Sequence, residues 1–133
     1  MDLSQRKIAV VLLGHGSLNP ETALESQQLG SQLHGNRPNW TFVSAYLNQE
    51  PGLKTVVEEL RAKDQDWIYV LPLLVFKGKH IEIDIPALLK QLNLEKTRKP
   101  MPPITLLSHL SQLPGFSDFL IHGMHIEMSK EQE

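Results

Sequence analysis

"KIAVVLLGHGSLNPE", residues 7–21, decides the fold. Ile8 to Leu13 are apolar without a break and β-branched in the middle. A run of this kind, closed by Gly14, reads as a strand buried on both faces, as in a parallel sheet. Asn19 then offers a helix cap, Pro20 suits the first helical position, and Glu21 suits the positive end of the helix dipole. The stretch therefore hands a strand directly to a helix. His15 stands in the turn between two glycines, where a plain turn needs no histidine.

Working outward, the same alternation continues. Leu24, Leu29 and Leu33 give the first helix a rough helical spacing, and Gly35 closes it. "NWTFVSAYL" is aromatic and β-branched and reads as a second strand. "PGLKTVVEELRAK" places Leu53, Val56, Val57 and Leu60 on one helical face. "DWIYVLPLLVF" reads as a third strand, with Pro72 near its end because proline cannot donate to a central ladder. "KGKHIEIDIP" reads as a loop into the helix "IPALLKQLNLEK", with Asp84 and Pro86 suited to its start. After the connection "TRKPMPP" come a fourth strand, "ITLLSHL", and a last helix, "PGFSDFLIHGMHIEM". Four βα units predict the α/β class. The expected architecture is a single doubly wound domain over residues 1–133, with a four-stranded parallel sheet in the flavodoxin-like order 2-1-3-4. Residues 1–6 and 129–133 are expected to fray.

Composition narrows the function. The net charge of −2 offers no basic footprint for nucleic acid. Cysteine is absent, which excludes disulfides and thiolate metal sites. The first apolar run is too short for a signal-peptide core or a bilayer span, so a cytoplasmic protein with no membrane partner is expected.

In the order 2-1-3-4, strands one and three lie side by side where the winding reverses, and ligands bind beyond their carboxyl ends. His15 follows strand one and His80 follows strand three. Gly14 and Gly16 flank the first, and Gly78 lies two residues before the second, so a ligand can come close to the backbone. Two imidazoles brought together can hold a divalent metal or move protons near neutral pH. The plainer alternative is that both satisfy loop hydrogen bonds. "GHGS" is not a nucleophile elbow, since Leu18 and Asn19 follow Ser17, and it lacks the lysine of a phosphate loop. Ser17 reads as a residue that bonds local backbone. His109 reads as structural. His122 and His125 stand three apart on a solvated helical face. Trp40 and Trp67 each open a strand and read as packing residues.

At these loops the chain resembles a known family. "LLGHGSLNPE", "SAYLNQEPGL" and "VLPLLVFKGKHIEIDIP" are similar, in order, to three stretches of the class II tetrapyrrole chelatases. Together they cover about residues 7 to 90. One set of motifs in a chain of 133 residues resembles the small, CbiX-type sirohydrochlorin chelatases, each a single half that works as a homodimer. The resemblance implies insertion of a divalent metal into sirohydrochlorin, on the way to cobalamin or siroheme. Cobalt is the first expectation, with nickel or iron also possible substrates. No organic cofactor is implied. His15 and His80 would be the catalytic and metal-binding residues. Gly14, Gly16, Ser17, Lys77, Gly78 and Lys79 would touch the tetrapyrrole. Leu18 stands where the family usually has arginine, Asn48 where it has glutamate, Glu82 where it is often basic, and Ile83 where it is often acidic. Lys77 and Lys79 are the candidates to replace lost positive charge opposite the carboxylates of the macrocycle. These departures motivate a second reading: a non-catalytic metal- or tetrapyrrole-binding relative.

Overall fold

The apolar runs form strands and the punctuated segments form helices, in the predicted order. The computed structural model describes residues 3–95 and 101–132. Strands β1 (Ile8–Gly14), β2 (Trp40–Tyr46), β3 (Trp67–Pro72) and β4 (Ile104–Leu106) alternate with helices α1 (Pro20–Asn36), α2 (Leu53–Arg61), α3 (Ile85–Leu94) and α4 (Phe116–Glu131). The sheet order is β2-β1-β3-β4 and every pairing is parallel, as the sequence predicts. β1 lies between β2 and β3, and its residues Ile8 to Leu13 are all buried. At the start of α1, the Asn19 Oδ1 accepts the Glu21 N–H at 3.0 Å and Pro20 opens the helix.

The two faces of the sheet are filled unequally. On one face, Ala9, Val11, Ile68 and Val70 pack with Val56, Val57 and Leu60 of α2 and with Ile85, Leu89 and Leu92 of α3. On the other, Ile8, Val10 and Leu12 are the buried residues of a smaller cluster, with Leu29 and Leu33 of α1 against them. β3 records the difference residue by residue: Ile68, Val70 and Pro72 are buried, while Trp67, Tyr69 and Leu71, pointing to the other face, are only half-buried.

Several boundaries differ from expectation. β3 stops at Pro72 instead of running to Phe76. The Leu73 N–H still donates to the Leu13 carbonyl at 2.8 Å, and the chain then leaves the sheet. β4 spans Ile104–Leu106 instead of reaching Leu110. Beyond it, the Leu110 and Ser111 N–H groups bond the Leu74 and Val75 carbonyls, outside any strand. The segment expected to be a loop before α3 contains a π-helical turn, His80–Asp84. At the two ends, Leu3–Gln5 form a 3-10 turn and α4 continues to Glu131. Most of the "TRKPMPP" connection lies outside the described residues.

Candidate functional site

The carboxyl ends of β1 and β3 each release a histidine. Their rings meet edge to face, with centroids 5.4 Å apart and planes at 68°. The topology therefore brings together two residues that are far apart in sequence. Glycine is required beside the first: Gly16 has φ +99°, in the left-handed region, and a Cβ there would press on the Gln49 side chain at 3.3 Å.

The His15 loop is tied to the segment that leaves β2. Parallel pairing continues past the strand ends, with the Leu47 N–H donating to the Gly14 carbonyl and the Asn48 N–H to the His15 carbonyl. Side chains add to it. The Ser17 N–H donates to Gln49 Oε1 at 3.0 Å, and Ser17 Oγ accepts from the Asn19 N–H, the local backbone bond expected of it. The Asn48 carboxamide lies against the ring edge of His15, its nitrogen 3.0 Å from Nδ1 and 3.3 Å from Nε2. Behind them, Glu50 accepts from the Gly52 N–H at 2.7 Å and the Thr55 hydroxyl at 3.0 Å. These two bonds, the Gly52 one first, hold its carboxyl below the usual glutamate range.

His80 is held differently. It begins the π-helical turn, and its Nδ1 lies 2.9 Å from Asp84 Oδ2, four residues on. A carboxylate there fixes the proton on Nδ1 and leaves the Nε2 lone pair free, the arrangement seen behind many metal-binding histidines. Irregular π turns are frequent at functional sites.

The other expected site residues fall around the pair. Gly14 ends β1, where an added Cβ would meet the Tyr46 ring at 3.7 Å. The Gly78 carbonyl accepts the Glu82 N–H at 2.9 Å. Lys77 pairs with Glu82 at 3.2 Å, so its charge is partly matched, whereas Lys79 is exposed in the same loop. Leu18, Phe76 and Ile83, on the two histidine loops, are exposed apolar side chains, Leu18 completely so. His15 lines a cavity of about 370 Å³ with Gly14, Gly16, Tyr46 and Leu73. A larger one, about 800 Å³ between α1 and β2, is lined by neither His15 nor His80. Among the described residues, no cluster of three or more His, Cys, Asp or Glu could hold a metal. A metal at this edge would rest on two imidazoles.

Sequence reasoning missed the partners. From the sequence Asp84 is a charge at a helix start and a member of the third family-like stretch, and its contact with His80 is not foreseen, although the His80-to-Asp84 interval of four is a helical contact distance. Asn48 stands out in the sequence as a departure from the family pattern, not as the neighbour of His15, and nothing in the sequence marks Gln49. Neither follows from local spacing.

Comparison with known proteins bears on the family and the fold. The family model CbiX matches residues 9–127. A crystal structure at 1.60 Å of a protein described as a CbiX protein of cobalamin (vitamin B12) biosynthesis, from Marinobacter aquaeolei VT8, is similar in fold. Its TM-score is 0.77 at 22% sequence identity, over 96% of this chain and 100% of that one. No curated protein matches the chain.

Proposed function

The chain belongs to the CbiX family, and from that premise we propose that it inserts a divalent metal, cobalt first, into a sirohydrochlorin-type tetrapyrrole at the His15–His80 edge. One observation carries the reading: the two histidines, in separate motifs, stand with ring centroids 5.4 Å apart at the switch point of the sheet.

The chemistry suits the residues. Insertion must strip ligands from the metal and remove two pyrrole protons. Neutral imidazole can do both, holding a metal loosely and accepting a proton near neutral pH. Two nitrogen donors without thiolate make a site that gives its metal up readily, and imidazole accepts cobalt, nickel and iron alike. His80 presents Nε2 because Asp84 occupies Nδ1. His15 is engaged by Asn48; with the carboxamide turned over, Oδ1 would accept from one ring nitrogen and leave the other free. Exposed Leu18, Phe76 and Ile83 offer apolar contact to a flat ring, and Lys79, with Lys77, a counter-charge to its carboxylates. Gly14, Gly16, Ser17 and Gly78 allow the macrocycle near the backbone. Metal and tetrapyrrole are substrates in this scheme, no organic cofactor takes part, a second copy of the chain is the expected partner, and the compartment is the cytoplasm. No helix among the described residues is long and apolar enough to cross a membrane.

The test is direct. Sirohydrochlorin and cobalt(II) are mixed with the protein and the macrocycle absorbance is followed against a protein-free control. Accelerated insertion supports the chelatase. Binding of both ligands at the spontaneous rate replaces it with the carrier reading, which Leu18, Asn48 and Glu82 motivate.

A further inference from the structure

The histidine edge is poor in positive charge. The segments that leave β1, β2 and β3, with the first turns of the helices they feed, hold three lysines, Lys54, Lys77 and Lys79, and no arginine. Lys54 lies 3.9 Å from Glu58 and Lys77 lies 3.2 Å from Glu82. Among the described residues, Lys79 alone of the three has no ion pair. The same segments hold four carboxylates, Glu21, Glu50, Glu82 and Asp84. A fifth, Glu25, lines the cavity of His15 one turn further along α1. Carboxylates thus outnumber lysines where the ligand would lie.

The rim of the edge is apolar instead. Leu18, on the His15 loop, is fully exposed, and Phe76 and Ile83, on either side of His80 in sequence, are 76% and 58% exposed. Apolar side chains gain from leaving water, and a group of them around a pair of ligating side chains marks a binding surface. A macrocycle with eight carboxylates, such as sirohydrochlorin, matches this rim poorly. All of those groups are ionised at neutral pH. Three lysines, two of them already paired, leave most of them unmatched, and like charges brought together across an interface oppose binding. Screening does not remove the effect, because the Debye length of about 8 Å at physiological salt exceeds a contact distance.

We propose that this edge selects a flat tetrapyrrole with four or fewer free carboxylates over one with eight. Leu18, Phe76 and Ile83 lie against the ring, and Lys79 pairs with one of the remaining carboxylates. The inference rests on the proposed function, that a tetrapyrrole occupies the His15–His80 edge, and names the substrate class within it. The insertion chemistry is unchanged, because peripheral carboxylates take no part in the exchange at the pyrrole nitrogens. A second copy of the chain fits the rim less well, since it would bring two edges of like charge together. Leu18 and Ile83 are the specificity-determining positions: both are exposed, both sit on histidine loops, and neither carries charge.

The test reads binding without turnover. Uroporphyrin and coproporphyrin share one ring and carry eight and four carboxylates. Each is titrated with metal-free protein, and its fluorescence gives the affinity. Coproporphyrin should bind about 10-fold more tightly at physiological ionic strength, the sum of four exposed charge contacts. The gap should narrow in high salt. Leu18→Arg with Ile83→Lys adds two cations at exposed positions and should close the gap, with the circular dichroism unchanged. Leu94→Lys alters an exposed apolar residue at the last position of α3, away from the histidines, and should keep the wild-type preference. Equal or tighter binding of uroporphyrin by the wild type overturns the proposal and leaves the chelatase reading standing. A gap closed as well by Leu94→Lys overturns it too, because the ring then binds elsewhere. So does a double variant that changes its sedimentation and keeps the preference, which would make the rim a contact between copies. If neither porphyrin nor sirohydrochlorin binds, the proposal and the chelatase reading fall together.

Discussion

His15 and His80 meet at one edge, yet they are held by opposite means. His15 depends on β2: two backbone hydrogen bonds, Asn48 on its ring and Gln49 on the following N–H. Those partners are more than thirty residues away in sequence. His80 depends on its own turn, through Asp84 four residues on. One imidazole is positioned by tertiary structure, and the other by local helix geometry. Damage on the two sides should therefore read differently: a positioning change near His15 disturbs a loop, and one near His80 disturbs a single proton.

The largest expected effect makes the two sides equal. His15→Ala or His80→Ala should each lower the initial rate of metal insertion about 100-fold or more, the range for losing a general base. Neither should shift the thermal midpoint much, since surface changes stay within about 0.5 kcal/mol. Ile68→Ala, on the sealed face of the sheet, is the contrast: it should cost about 2–5 kcal/mol in urea unfolding. Next comes Asp84→Asn. An amide no longer fixes the His80 proton, and cobalt affinity or insertion rate should fall about 10-fold or more, with no change in stability. Titration calorimetry with cobalt(II) checks it. If affinity is unchanged, the His80–Asp84 contact is only structural.

Gly16→Ala sharpens the His15 side. The left-handed φ costs about 1–2 kcal/mol for an L residue, and the added Cβ must displace Gln49. The variant should melt earlier and insert metal more slowly. Glu50→Gln should have the smallest effect. The folded-state pKa of Glu50 is lowered, so its contribution is present above the ordinary glutamate range and is lost as pH falls through the folded value. The variant should therefore be slightly less stable than wild type at neutral pH, and the difference should vanish in acid. A gap that persists at low pH would place the effect elsewhere.

Much of this was legible in the sequence because local patterns carried it. An unbroken apolar run marked β1 as central, and Asn19-Pro20-Glu21 marked the start of α1. Alternation gave the sheet order, and the order put His15 beside His80. What stayed hidden was set by long-range contacts. Asn48 reaches His15 only because the β1–β2 register pairs Gly14 with Tyr46 and the pairing runs on. Past β4, the Leu107 N–H still bonds the Val70 carbonyl of β3, but the Leu110 and Ser111 N–H groups bond the Leu74–Val75 segment, which has already left the sheet. The last helix was legible as a helix, but its lack of a sheet beneath it was not, since that depends on the direction set at Gly115.

The central claim is that His15 and His80 act on one metal as a unit. The measurement closest to it is the cobalt insertion rate of the two single alanine variants and of the double variant, under saturating sirohydrochlorin. Residues that act as a unit are not additive. The account predicts a double variant little worse than either single one. Losses that multiply, or a single variant at the wild-type rate, would contradict it.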